Sequence, residues 1–90
     1  MGYHQDLLIL LSKKGYQAAK VKLGQSKQEL ILSLAIEYLG EGLSFMDLIN
    51  NANIGLMKGI NELENDNEND IDDFLSPFIK ESIQQAISNI

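Results

Sequence analysis

Between Glu62 and Asp73 the chain gathers seven of its thirteen acidic residues with no lysine among them, and clustered carboxylates are the ligands a hard cation needs. Glu64, Asp66 and Glu68, followed by Ile71 and Asp72, alternate as the donors of a calcium loop do. Such a loop also requires glycine at its sharp turn and a bidentate glutamate at its close. Asn69 and Leu75 occupy those two places, so a solvated acidic loop without metal is expected. His4 is the one histidine, which leaves a histidine base or zinc site without a second imidazole. Gly40-Glu41-Gly42 is too short to cradle a phosphate, and no P-loop, dinucleotide fingerprint or nucleophile elbow is present. These residues predict a protein that is not an enzyme and uses no cofactor.

The elements that carry these side chains must fit in 90 residues, enough for one small domain with one core. A hydrophobic share of 44% with a single proline says that this domain folds. A single domain over residues 1–90 is expected, with the acidic loop at about 64–73. Cysteine is absent, so neither disulfides nor thiolate metal sites are available. The run Leu7 to Leu11 lies between Asp6 and Lys13-Lys14, too short for a membrane span and without the basic front of a signal peptide. A cytoplasmic protein with no membrane partner is the expectation. The net charge is −6 and every basic residue is lysine, a balance that repels phosphate and makes non-specific nucleic-acid binding weak.

Helical rather than strand periodicity runs through four segments, which predicts an all-α, compact bundle of about four helices. The first covers about Gln5 to Leu23, with Leu7, Leu8, Leu11, Ala18, Ala19 and Leu23 as its apolar positions, Ile9 and Leu10 off the stripe, and Gly15 as a possible break. A second covers about Ser26 to Leu39, with Ser26 and Glu29 as a capping box and Gly40 as its stop. In the third, Ser44 is the cap, Asp47 completes the box and Leu43 can staple against Leu48. Phe45, Leu48, Ile49, Ala52, Leu56, Ile60 and Leu63 then recur at helical spacing and define a buried stripe. Asp47, Asn50, Asn53, Ile54 and Met57 fall on another face. Gly55 and Gly59 each cost a helix interior about 1 kcal/mol against alanine, and close helix packing is the plain reason to keep them. A fourth helix is expected from near Ser76-Pro77, carrying Ile79, Ile83, Ala86, Ile87 and Ile90.

The third helix and its surroundings have a family likeness. LILSLAIEYLGEGLSFMDLINNANIGLMKGI, continued by IKESIQQAI, resembles the second conserved region of bacterial RNA polymerase sigma factors of the housekeeping class, over roughly residues 15 to 89. The resemblance implies a sigma-type helical fold and a docking surface for core RNA polymerase, on the clamp helices of its largest subunit. The positions that match the family's docking residues are Met46, Asp47, Asn50, Asn51, Asn53 and Met57. Asn50, Asn51 and Ala52 stand where the family usually has glutamine, glutamate and glycine. Loss of that acid removes one charge-assisted contact.

The same resemblance implies a promoter-melting half, where flat rings and cations capture the bases of opened DNA. Its positions here hold Asn69, Asp70, Ile71, Phe74, Pro77 and Phe78, with Asp66 and Asn67 in place of a basic pair. Phe74 and Phe78 remain aromatic and Lys80 basic, while Glu81 and Gln85 replace glutamine and arginine. Phe74, Phe78, Lys80, Glu81 and Gln84 are therefore the expected remnant of a DNA face. Three readings follow: an initiation domain with weakened or altered promoter melting, a sigma-like interaction module or decoy that meets polymerase, an anti-sigma protein or a co-regulator without binding DNA, and a helical domain that simply dimerises.

Overall fold

A computed structural model of the chain describes residues 2–63 and 70–90, with side chains from Gln5 onward. Among the described residues five helices follow one another: α1 (Gly2–Lys13), α2 (Gln17–Ser26), α3 (Gln28–Ile36), α4 (Phe45–Asn61) and α5 (Ile71–Ser88). The fold is all-α, as the periodicity predicts. It has five helices rather than about four because Gly15 does break the first segment. Gly15 adopts φ +93, its N–H donates to Ser12 O at 3.0 Å and the Tyr16 N–H to Leu11 O at 3.1 Å. Those two bonds are the glycine-dependent stop that satisfies the last carbonyls of a helix.

Breaking the segment also resets which side of it faces inward. Ala19 and Leu23 of α2 are buried as expected, but Leu7 is 51% exposed and Ala18 is exposed. Leu8 and Ile9 instead pack partly buried against the core. Five consecutive apolar residues carry no phase of their own, so periodicity could not choose between these faces.

The expected Ser26 cap is also corrected. Ser26 is the last residue of α2, its hydroxyl donating to Leu23 O at 2.6 Å. Lys27 holds the N-cap place of α3 without a side-chain cap bond. Its side chain is needed elsewhere: Nζ lies 2.8 Å from Asp72 Oδ1 and donates to Gln5 Oε1 at 2.7 Å. After Ile36 the chain winds on through i→i+3 bonds to Leu39 and turns at Gly40, φ +86.

Helix α4 forms as its sequence dictates. Ser44 is extended and its Oγ accepts from the Asp47 N–H at 3.1 Å. Leu48, Ala52, Leu56 and Ile60 are essentially inaccessible to solvent, and Leu63 just beyond joins them. Its broadest interface is with α5, and Gly55 and Gly59 make the approach possible. A Cβ on Gly55 would strike the Phe78 carbonyl oxygen, and one on Gly59 would stand 2.8 Å from Leu75 Cδ2.

Helix α5 starts at Ile71, not near Ser76-Pro77, so Ile71, Asp72 and Asp73 belong to the helix and not to the acidic loop. Ile71, Leu75, Ile79 and Ile83 recur every four residues and are all buried, which is a helical stripe one and a half turns longer than proline alone suggested. The Asp70 carboxylate accepts from the Asp73 N–H at 3.3 Å, and Asp72 and Asp73 sit where the helix dipole favours negative charge. Pro77 thus lies inside the helix on an exposed position, where the carbonyl freed by its missing N–H can reach water. Among the described residues the core draws on α2, α3, α4 and α5 and on Leu63. No described helix is long and apolar enough to cross a membrane.

Candidate functional site

The capped start of α4 fixes the rotation of the whole helix. With Leu48, Ala52 and Leu56 turned inward, Met46, Asp47, Asn50 and Ile54 emerge on the opposite side and are exposed. Met46 is 63% exposed, which leaves its thioether free to meet a partner. Of the six expected docking residues, these solvent-facing Met46, Asp47 and Asn50 form one surface.

The other three are turned aside. Asn51 is half-buried and donates to Asp47 O at 2.8 Å. The Asn53 side chain accepts from Gln28 Nε2 at 2.8 Å and donates to Ile49 O at 3.1 Å, so it bridges α3 and α4. Met57 is half-buried against the core, its sulfur 3.3 Å from where a Cβ on Gly24 would stand. Gly24 therefore gives Met57 its seat between α2 and α4.

On α5, Phe74 and Phe78 stack obliquely, ring centroids 5.4 Å apart and planes at 49°. Both are half-buried, and the Phe78 ring lies 3.1 Å from a Cβ position on Gly59. These rings belong in part to the α4–α5 packing. Lys80 is half-buried and Glu81 exposed. Gln85 Nε2 donates to Glu81 Oε1 at 3.4 Å, and Gln84 Nε2 to Tyr38 Oη at 3.0 Å. Gln84 thereby ties α5 to the turn after α3. An open cleft beside this face is lined by Lys58, Asn61, Glu62, Phe78 and Glu81, with one ammonium against two carboxylates. Asp72, a would-be metal donor in the acidic run, is instead paired with Lys27. Glu64, Asp66, Asn67, Glu68 and Asn69 of that run, and the His4 side chain, lie outside the described residues. Among the described residues no group of three carboxylates or histidines could hold a metal ion.

Comparison with known proteins decides the family. The chain is 35% identical over 71 residues, 79% of its length, to the RNA polymerase sigma factor RpoD of Helicobacter pylori, of which it covers 11%. It is 30% identical over 81 residues, 90% of its length, to the sigma factor SigA of Lactococcus lactis, of which it covers 21%. It carries a housekeeping-type sigma factor region. A third relative, RpoD of Neisseria gonorrhoeae, is 43% identical over 53 residues, 59% of this chain and 8% of that protein. The chain therefore spans between about a tenth and a fifth of the length of the relatives that match most of it. No protein-family model matches it.

Two features of this sigma region escaped the sequence-based set of site residues. Ile54, 52% exposed, stands one turn from both Asn50 and Lys58 on the outward face of α4. Its spacing placed it there, but the family's docking positions did not include it. Gln28 is the other, and its grip on Asn53 is a long-range contact to which no local pattern points.

Proposed function

We propose that this sigma region is a transcription initiation domain that docks on core RNA polymerase, on the clamp helices of the largest subunit. The outward surface of α4 carries the reading: Met46, Asp47 and Asn50 stand together in solvent on a capped helix packed against α5. An exposed methionine beside a carboxylate suits a partner that offers an apolar ridge and a cation. Asn51, Asn53 and Met57 complete the docking set from its edges. In this reading residues 1–90 act as one domain in the cytoplasm, with no catalytic role.

Promoter DNA is the weaker partner in this proposal. Asp70, Asp72 and Asp73 open the helix that bears Phe74 and Phe78, Phe78 leans on α4, and Glu81 replaces a neutral side chain. A strand approaching these rings meets carboxylates first, which favours weakened or altered melting. The same charge supports a second reading, a sigma-like module or decoy that engages polymerase, an anti-sigma protein or a co-regulator without DNA.

A mobility shift of single-stranded promoter DNA by the chain with core polymerase at low salt separates the two. A shift supports the initiation domain, and its absence where electrostatic attraction is strongest leaves the interaction module. Replacing Asp66 and Asp73 with lysine should strengthen any DNA binding. Asp72 is unsuited to that substitution, because a lysine there would face the ammonium of Lys27.

A further inference from the structure

Helix α3 has a second apolar surface that the core does not use. Leu32 is 44% exposed, Ile36 55% and Leu39 52%. Ile36 follows Leu32 by four residues. The chain then tightens to i→i+3 bonds, a geometry in which residues three apart eclipse one another, so Leu39 falls in line beyond Ile36. The three form one stripe along α3 and the turn after it.

Within α3 and the turn that follows it the charge is of one sign. From Gln28 to Met57, α3 and α4 as far as its last turn, the chain holds Glu29, Glu37, Glu41 and Asp47 and no lysine, and Lys58 follows in that last turn. Glu29, Glu37 and Glu41 are all exposed. Lys27, which opens the hairpin, is buried and committed to Asp72. A second copy of this chain would bring acids against acids, each copy with a net charge of −6. Complementarity asks instead for an apolar ridge with cationic edges.

We propose that the α3 stripe is a docking surface, additional to the outward surface of α4, for an amphipathic helix of another protein that carries lysine or arginine beside its apolar ridge. Leu32, Ile36 and Leu39 receive the ridge, in the manner of helix-in-groove recognition with anchors at i, i+4 and i+7. Glu29, Glu37 and Glu41 pair with the flanking cations and set the orientation. This surface does not depend on whether α4 meets polymerase.

The test uses two synthetic amphipathic helices with the same leucine ridge, one flanked by lysines and its twin by glutamates, titrated against the chain by fluorescence anisotropy. The lysine peptide should bind and the glutamate twin should not. The combined variant Leu32→Ser, Ile36→Ser and Leu39→Ser, exposed positions that leave the core intact, should bind the lysine peptide about tenfold or more weakly. Met46→Ser, on α4, should bind it as the unaltered chain does. Glu29→Lys with Glu37→Lys and Glu41→Lys should reverse the preference between the peptides. Equal binding by the serine variant, or equal binding of the two peptides, overturns the proposal. So does a dimer of the unaltered chain that the serine variant fails to form, since a second copy would then be the occupant.

Discussion

Gln28 on α3 and Asn53 on α4 hold each other by their carboxamides: Gln28 Nε2 donates to Asn53 Oδ1 at 2.8 Å, and also to Gly24 O at 3.1 Å. Asn53 Nδ2 in turn reaches Ile49 O at 3.1 Å. The two side chains fasten the α3–α4 hairpin at the end away from its turn. Gln28→Ala and Asn53→Ala should each lower stability by about 0.5–1.5 kcal/mol, the range for a net hydrogen bond. The double variant should lose less than the sum, because either change already breaks the shared bond. Urea denaturation of the four proteins measures this, and simple additivity would mean that the pair does not interact in solution.

The glycines of the α4 seams should respond in opposite directions to alanine. At Gly55 a Cβ meets the Phe78 carbonyl and stands 2.8 Å from Ile79 Cα, so backbone must move. Overpacking of about 1–3 kcal/mol or more should outweigh the roughly 1 kcal/mol that alanine gains as a helix former. Gly24→Ala meets only the Met57 sulfur at 3.3 Å and side-chain carbons beyond. Methionine can swing aside, and thermal unfolding should show this variant unchanged or slightly more stable. Equal loss at both positions would contradict the difference between the two seams.

Lys27 is 7% exposed, and its ammonium answers to Asp72 on α5 and Gln5 on α1. Asp72→Asn should destabilise the chain by about 1–3 kcal/mol, less than for a fully buried pair because the Asp72 side chain is 48% exposed. Lys27→Met, which removes the buried charge and keeps its bulk, should cost less than Asp72→Asn. Chemical denaturation in the order reverse to this would show that the aspartate contributes little.

Ser12 is 2% exposed and its hydroxyl has no hydrogen-bond partner among the described residues. Such a group has lost water without replacement. Ser12→Ala should raise stability by about 1 kcal/mol, read as a higher melting temperature, while a lower one would mean that the hydroxyl is satisfied in solution.

The legible parts of this fold were those written locally. Ser44 with Asp47, the stripe from Leu48 to Ile60 and the glycine break at Gly15 all depend on neighbours a turn away, and each formed as its residues dictate, whereas Phe45, expected on that stripe, is 41% exposed at the first position of α4. The start of α5 was hidden by composition. Asp70, Asp72 and Asp73 look like solvated loop, yet acids favour a helix N-terminus and Ile71 opens the buried stripe. Ser26 failed as a cap because Lys27 is drawn inward by partners 22 and 45 positions away in sequence. The candidate site divides in the same way. Met46, Asp47 and Asn50 follow from the phase of α4, whereas the engagement of Asn53 by Gln28 and of Met57 by Gly24 depends on which helices meet, and spacing within one helix does not encode that.

Docking through the outward surface of α4 is tested most directly by calorimetric titration of core RNA polymerase with the purified chain, beside Asp47→Ala and Met46→Ala. Both side chains face solvent, so neither change should disturb folding. The docking assignment predicts binding by the unaltered chain and an affinity about tenfold lower in each variant. Binding that is undiminished in both variants, or no binding by any of the three, would contradict it.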